Sequence, residues 1–537
     1  MRTLCSTQTF LLAATFITLS ACTPQPQPDS QAPVFSETYV DETAARVMAE
    51  YQIPGMAIAV VKDGKVVHMK GYGEREFGTG EAVTPTTLFK IASVTKNFTT
   101  AALARLVDAG KIAWDDPVKK HIPEFKMIDS WVTEEFTIRD MLIHNSGLNL
   151  GAGDLMFWPE PNDFTRQDIL HGLQFLPLTT SFRAEYAYDN LMYVLAGELT
   201  ERVAGVPWEQ FVEQQLMQPL GMDYCFAGPV PDHAQAHLAQ PHALVDNTPV
   251  VVRRDAADTT IPSAPAGGIR CSVQSLTNWM KMQLNSGTLA TNTDDIEIIS
   301  AATQNEMWSP QTIMPVGNRA KAWDNTHFSA YGLGWRLNDF DGHLRVHHTG
   351  SLHGMYSYLS FLPELDVGMV VLMNRASGDA RDAMMYSLVK PFTGDATTDW
   401  VAEVKQWRAQ LSQQREREFQ PPATTVVSEA QAQPLLGTYS DPWFGTVTVS
   451  YEAGRLQWRS HRSPRLIGEL VHVQDQTYIA RWDDRTLYGD AYVYFKKFDA
   501  AQPMQMLMAP VDPATDFSFD YEDLNFSRIS AQENNNG

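Results

Sequence analysis

The alternation of apolar and polar residues divides the chain into a mixed helix-and-strand part and a later β part. An amphipathic pattern at 36–50 predicts a helix, and residues 55–67 alternate as two strands around Asp63 and Gly64, a dipeptide typical of a hairpin turn. The later patterns are helices at 93–107, 137–143, 190–204, 207–216 and 272–285, strands at 331–335, 357–362 and 367–372, and a helix at 379–389. Strands at both ends and helices between them predict an α+β fold, in which one antiparallel sheet has helices on both faces beside an all-helical region.

The pattern changes after residue 395. A charged, Gln-rich stretch at 399–419 predicts one helix, and from about Leu435 the pattern is purely β. Short alternating runs lie at 446–451, 455–460, 476–481, 491–495 and 504–508. Strands spaced about ten residues apart predict a small all-β barrel. We therefore expect an α+β domain over 36–395, a helical and polar linker over 396–434, a barrel over 435–530 and a disordered tail over 531–537.

The first residues are typical of a targeting segment. Arg2 is followed by an apolar stretch at 10–19, which is too short to span a membrane and suits a signal peptide. The small residues before Cys22 resemble the lipobox of bacterial lipoproteins. This predicts a signal peptide over 1–22, a lipid on Cys22 and a Pro-rich tether over 23–35. We expect a lipid-anchored protein of the cell envelope, on the outer membrane facing the periplasm; the alternative is an ordinary secretory signal.

Charge and cysteine content exclude several classes of partner. The formal net charge of −22 argues against nucleic acid as a partner and against binding to anionic lipid by charge.

Cys225 and Cys271 would remain after lipidation of Cys22, and they either form a disulfide or stay as two buried thiols. The cysteines and histidines have no metal-ligand spacing, so we expect neither a metal nor a cofactor.

Ser93 and Lys96 are the first candidates for chemistry. Their spacing places a hydroxyl and an amine on one face of a helix, about one turn apart. A neutral amine takes the proton of a serine nucleophile, and the start of a helix favours developing negative charge. Alone, the pair is better explained by a helix cap and a solvated lysine, because S-x-x-K is expected by chance in a chain of this length.

Two further groups of residues supply what an acyl-transfer site needs. Tyr188 and Asn190 lie together just before a predicted helix. A tyrosine near ammonium groups can have a lowered pKa and act as a proton shuttle. Asn190 can donate to a substrate carbonyl and accept from Lys96. The alternative is a core aromatic residue and a helix cap.

The segment from His348 to Ser351 follows on a predicted strand. Gly350 would let substrate approach the backbone, and the N–H groups of Ser351 and Ser93 would form an oxyanion hole. His348 and Thr349 would bind substrate, His348 as the anchoring group. A strand of surface histidines is the alternative.

S-x-x-K, Y-x-N and H-x-G in this order resemble the class C β-lactamase and penicillin-binding-protein-like serine hydrolases. Segments at 110–117, 137–148, 265–268 and 331–335 are similar to the same family, and the resemblance covers about residues 36–390. The C-terminal part is similar to the lipocalin-like domain that is often appended to these hydrolases.

The resemblance implies a mechanism and a substrate class. Ser93 would be the acylated nucleophile, Lys96 its proton acceptor, Tyr188 an aid to acylation and to the deacylating water, and Asn190 the residue that orients Lys96. His348 stands where β-lactamases usually have lysine, and a largely neutral histidine is a weak anchor for a carboxylate.

We therefore expect a serine hydrolase that cleaves D-amino-acid peptides or small esters. The alternatives are a β-lactamase and an inactive protein that binds cell-wall fragments. The sequence leaves open the oligomeric state and the role of the β-domain.

Overall fold

The structure is a computed structural model that describes residues 35–255, 261–497 and 503–529. The predicted signal peptide, the lipidation site Cys22, the tether up to residue 34 and the tail over 531–537 lie outside these residues. Among the described helices, none combines the length and the apolar character that crossing a bilayer requires.

The mixed part of the chain contains fifteen α-helices among the described residues, counting the two that connect it to the β part. They are α1 (Glu37–Tyr51), α2 (Thr95–Asp108), α3 (Ser130–Glu135), α4 (Ile138–Leu142), α5 (Arg166–Gly172), α6 (Leu191–Ala204), α7 (Trp208–Val212), α8 (Asp232–Gln235), α9 (Ala264–Gly267), α10 (Val273–Leu284), α11 (Ala301–Met307), α12 (Asn318–Trp323), α13 (Gly378–Val389), α14 (Trp400–Glu418) and α15 (Glu429–Ala432).

The strands of the same part include eight that form its main sheet. In chain order they are β1 (Gly55–Lys62), β2 (Lys65–Gly73), β3 (Phe89–Lys90), β4 (Cys225–Phe226), β5 (His242–Val245), β6 (Thr248–Val251), β7 (Arg270–Cys271), β8 (Thr288–Leu289), β9 (Ile296–Glu297), β10 (Thr312–Met314), β11 (Ser329–Tyr331), β12 (Arg336–Phe340), β13 (His343–Leu352), β14 (Met355–Leu362) and β15 (Val367–Met373). The main sheet has the order β10-β11-β12-β13-β14-β15-β1-β2.

The two ends of this part meet in the middle of the sheet, where β1 pairs antiparallel with β15. Alternate residues of β1 serve different layers, as the two-residue period of a strand requires. Ile58 and Val60 pack with α1, α13 and α14 on one face, whereas Ala57 and Ala59 belong to the core that α2 and α10 cover on the other. The predicted α+β fold with helices on both faces is confirmed.

Local patterns predict most elements well and one of them badly. The hairpin between β1 and β2 turns at Asp63 and Gly64, both with positive φ, as the dipeptide predicts. The strand predicted at 331–335 is wrong, because β11 ends at Tyr331 and the chain turns before β12. Gly334 has a φ of 81°, and a Cβ there would overlap Thr100 of α2. The apolar residues of this segment are therefore buried in a turn.

The C-terminal part is a closed barrel of eight strands. These are β16 (Gly437–Asp441), β17 (Gly445–Glu452), β18 (Arg455–Ser460), β19 (Ile467–Gln474), β20 (Thr477–Trp482), β21 (Ala491–Lys496), β22 (Gln505–Pro510) and β23 (Asn525–Arg528). Buried aromatic side chains, among them Trp458, Trp482 and Phe526, hold it together. This confirms the predicted all-β barrel.

The barrel packs directly against the mixed part. Phe444 of the barrel lies 6.0 Å from Phe164 between ring centres, and the two parts share one continuous hydrophobic cluster. Arg462 forms ion pairs with Asp163 and Asp168 across the same boundary. Hydrophobic contact and ion pairs thus fix the barrel beside the helical region.

The sequence left the state of Cys225 and Cys271 open. In the structure they form a disulfide between directly opposed positions of β4 and β7. The bond closes a loop that includes α8, β5 and β6.

Candidate active site

Ser93 lies in a sharp turn between the short strand β3 and α2. Ile91 follows β3, and a single 3₁₀ turn over Ala92–Val94 leads into the helix. Ala92 has a positive φ of 50°, a conformation that few residues with a side chain adopt and that occurs often at functional sites. The turn leaves Ser93 half-buried at the wall of a cleft.

Strand β13 packs against this turn. A Cβ on Gly350 would overlap the carbonyl oxygen of Ile91 and Oγ of Ser357, so only glycine fits. We expected Gly350 to make room for substrate. The structure gives a different reason for the glycine, which is the contact between β13 and the turn that carries Ser93.

Lys96 is fully buried in the first turn of α2. Its Nζ donates to Ser93 Oγ at 3.2 Å, to Asn190 Oδ1 at 2.7 Å and to the Ala266 carbonyl at 2.8 Å. Burial, with help from the cation of Arg336, lowers the pKa of Lys96 to about 7. A large share of this amine is therefore neutral near pH 7 and able to take a proton from Ser93.

Asn190 connects Lys96 to a buried carboxyl group. Its Nδ2 donates to Asp154 Oδ2 at 2.7 Å, so the amide is oriented with Oδ1 towards Lys96. Burial raises the pKa of Asp154 well above its usual value, and the neighbouring Asp189 adds to the rise. When Asp154 is ionised, its negative charge favours the protonated form of Lys96.

Tyr188 lies beside the amine, with its ring centre 4.9 Å from Lys96 Nζ. Its buried hydroxyl is directed at Ser93, although among the described residues it makes no hydrogen bond of normal geometry. Burial raises the pKa of Tyr188, and Arg336 and Ser93 offset the rise only in part. The expected lowering of this pKa is wrong, because loss of water outweighs the nearby positive charges. Tyr188 is therefore suited to donate its proton as a neutral phenol.

The structure separates the residues of the segment from His348 to Ser351. Thr349 and Ser351 line the cleft, and Ser351 Oγ accepts a bond from Arg381 at 3.0 Å. His348 is buried behind them, where Nε2 lies 2.9 Å from the hydroxyl of Tyr331. Burial first, then the nearby cations, hold its pKa well below the usual range. His348 is therefore a neutral residue behind the cleft wall, which differs from the expected anchoring role.

Arg336 supplies the positive charge that His348 lacks. It begins β12, lines the cleft and lies 5.6 Å from the ring centre of Tyr188. Among the described residues its buried Nε has no hydrogen-bond partner, and the groups that act most strongly on its pKa besides burial are tyrosines. A cation without a carboxylate partner in the described part of the chain favours binding of an anion.

The cleft has a volume of about 580 Å³, within the range of small-molecule sites. Both parts of the chain contribute to it. Trp158, Leu244 and Tyr356 come from the mixed part, and Tyr488 and Phe517 come from the barrel. Within residues 35–255, 261–497 and 503–529 there is no group of three or more His, Cys, Asp or Glu that could hold a metal ion.

Comparison with known families decides the identity of the larger part. Residues 40–391 match the profile of the family described as Beta-lactamase. The chain belongs to the β-lactamase family. A second profile, described as a domain of unknown function, DUF3471, matches residues 421–528, which include the barrel.

Two relatives of this β-lactamase-family chain are informative. It is 27% identical over 350 residues to Protein flp of Staphylococcus aureus (strain NCTC 8325 / PS 47), which covers 63% of this chain. The chain spans 63% of the length of that relative. It is 26% identical over 444 residues to the Unguisins hydrolase ungD' of Aspergillus campestris, covering 77% of this chain and 78% of the relative.

Solved structures share the fold. The octameric penicillin-binding protein homologue from Pyrococcus abyssi matches with a TM-score of 0.56 and 20% identity, over 91% of this chain and 99% of its own. A class C β-lactamase matches with a TM-score of 0.53 and 21% identity, over 66% of this chain and 95% of its own. The first of these similarities extends beyond the β-lactamase-like part.

The β-lactamase-family site thus contains residues that sequence reasoning did not select. Asp154, Arg336 and Ser518 all lie at or next to the cleft. Arg336 directly follows the family-like segment at 331–335, which was the only available signal for it. Asp154 and Ser518 lie in segments with no recognisable motif, so only the folded chain reveals them.

Proposed function

We propose that the protein hydrolyses an ester or amide through a covalent acyl-enzyme on Ser93. The observation that carries this proposal is the bond from Lys96 Nζ to Ser93 Oγ, made by an amine whose pKa is about 7. Ser93 Oγ attacks the acyl carbon while its proton passes to Lys96, and the leaving group departs with a proton from the Tyr188 hydroxyl. Water then attacks the acyl carbon and gives a proton to the Tyr188 phenolate. The bond between the acyl carbon and Ser93 Oγ breaks, and Ser93 Oγ takes back its proton from Lys96, so that the acid is released and the three side chains return to their starting state.

The substrates we propose carry a carboxylate close to the scissile bond, as a short D-amino-acid peptide does. Arg336 supports this choice, because it is a cation in the cleft with no carboxylate partner among the described residues. Guanidinium binds carboxylate by charge-assisted hydrogen bonds. The same observation keeps β-lactams, which also carry a carboxylate, as a second candidate class, whereas small neutral esters would not use Arg336.

An inactive binding protein is the less favoured alternative. Ser93, Lys96, Tyr188 and Asn190 are all present and within reach of one another, whereas a degenerate site would have lost at least one of them. The place of action that we propose is the cell envelope, with a lipid on Cys22 and the tether between the membrane and the folded body. The support for it is the sequence of residues 1–35 alone.

Substrate comparison tests the proposed class. Hydrolysis of a D-alanyl-D-alanine peptide is compared with hydrolysis of its C-terminal amide, p-nitrophenyl acetate and nitrocefin. We expect the free peptide to be preferred over its amide, and the preference to be lost in Arg336→Ala. Equal rates for the acid and the amide would contradict the role of Arg336, and binding of a cell-wall peptide without turnover of any substrate would favour the inactive alternative.

A further inference from the structure

The connection between β22 and β23 of the barrel enters the cleft. Phe517 and Ser518 of this connection line the same cavity as Ser93, and the ring centre of Phe517 is 5.8 Å from that of Tyr188. Gly151 has a φ of 72°, and a Cβ there would be 2.7 Å from Phe517, so the two segments are in close contact. The barrel therefore forms part of the wall of the candidate active site.

Two hydrogen bonds join this connection to the neighbouring residues Gly153 and Asp154. The backbone N–H of Gly153 donates to Asp520 Oδ2 at 2.5 Å, and Ser518 Oγ donates to Asp154 Oδ2 at 2.7 Å. The same Asp154 oxygen accepts the bond from Asn190, whereas Oδ1 has no partner among the described residues. An unbroken chain of hydrogen bonds thus runs from the barrel to Lys96.

We propose that Ser518 is a positioning residue of the hydrolase site, which acts on Lys96 through Asp154 and Asn190. This inference rests on the proposed function, in which Lys96 takes the proton of Ser93. The barrel would then be a necessary part of the active site, because it supplies one of the two donors that hold the Asp154 carboxylate.

The direction of the effect follows from the charges. The donor on Ser518 lowers the pKa of Asp154, and the Asp154 carboxylate raises the pKa of Lys96. Loss of the Ser518 hydroxyl therefore favours neutral Asp154 and lowers the pKa of Lys96. The other charged or titratable groups that face this pair are Asp189, Asp520, Arg336, His144, Tyr188, Tyr193 and His348.

The test measures the rate of Ser93 labelling by a fluorophosphonate as a function of pH. It uses the full chain in detergent as wild type, Ser518→Ala, Ser518→Thr and Thr515→Ala. Thr515 lies in the same connection, and its buried hydroxyl has no partner among the described residues, so it controls for loss of a hydroxyl there. Thermal unfolding of each variant shows whether it is folded.

We expect Ser518→Ala to lower the maximal labelling rate by about tenfold and to move the acidic limb of the profile to lower pH by up to about one unit. Ser518→Thr retains the donor and the wild-type profile, and Thr515→Ala leaves it unchanged. A wild-type acidic limb in Ser518→Ala would overturn the inference, whatever the maximal rate, because a purely structural role does not move the limb. Wild-type protein without any labelling at Ser93 would overturn the proposed function itself.

Discussion

Removal of the positive charge of Arg336 is expected to raise the pKa of Lys96. Lys96 Nζ and Arg336 Cζ lie 4.9 and 5.6 Å from the centre of the same Tyr188 ring, so they are at most about 10.5 Å apart. At an effective dielectric constant of about 20, two unit charges at that distance repel by roughly 1.6 kcal/mol. This energy corresponds to a little over one pKa unit, so we expect Arg336→Gln to raise the pKa of Lys96 by about that amount.

The pH profile of kcat/KM for a neutral ester, such as p-nitrophenyl acetate, measures this effect without involving carboxylate binding. In the proposed mechanism the neutral amine is the active form, so we expect the wild-type rate to fall as the pH drops below the Lys96 pKa of about 7. In Arg336→Gln we expect the midpoint of this acidic fall in rate to move from about pH 7 to about pH 8. The rate would then be about tenfold lower than wild type at pH 6 and nearly unchanged at pH 9. Arg336→Lys keeps the charge and is expected to keep the wild-type limb. A limb that stays in place or moves to lower pH in Arg336→Gln would refute the electrostatic account of Lys96.

Two further predictions concern the scaffold of the site. Gly350→Ala places a methyl group against the Ile91 carbonyl oxygen, so we expect the free energy of unfolding in urea to fall by about 1–3 kcal/mol. We also expect slower labelling of Ser93 by a fluorophosphonate. Wild-type stability and wild-type labelling would contradict the close packing. Replacing Cys225 and Cys271 together by alanine opens a crosslink between residues 46 positions apart, and we expect a loss of about 4 kcal/mol in the same assay. An unchanged urea midpoint in oxidising buffer would show that the bond does not constrain the chain.

The sequence predicts the part of the site that depends on local spacing. Ser93 and Lys96 are one helical turn apart, so their contact follows once α2 forms. Tyr188 and Asn190 stand just before α6, which packs against α2, and this places them beside Lys96. The contacts within such a motif can be predicted from the order of its residues, because they depend on only one helix and the helix packed against it.

The remaining features depend on contacts between distant segments. Ser518 and Asp154 are 364 residues apart, and no periodicity relates a barrel connection to a loop of the helical region. The lowered pKa predicted for Tyr188 is wrong for a related reason, because the direction is decided by burial, which the sequence around Tyr188 does not reveal. His348 lies behind the wall because alternate residues of β13 face opposite sides of the sheet, and which side each residue faces is set by the pairing of β13 with β14.

The acyl-enzyme on Ser93 is the central claim, and intact mass after treatment with a fluorophosphonate tests it most directly. The account predicts a single adduct on the wild-type protein that maps to the peptide containing Ser93, and no adduct on Ser93→Ala. An adduct that persists at the same rate in Ser93→Ala, or an unlabelled wild type that still hydrolyses esters, would contradict it.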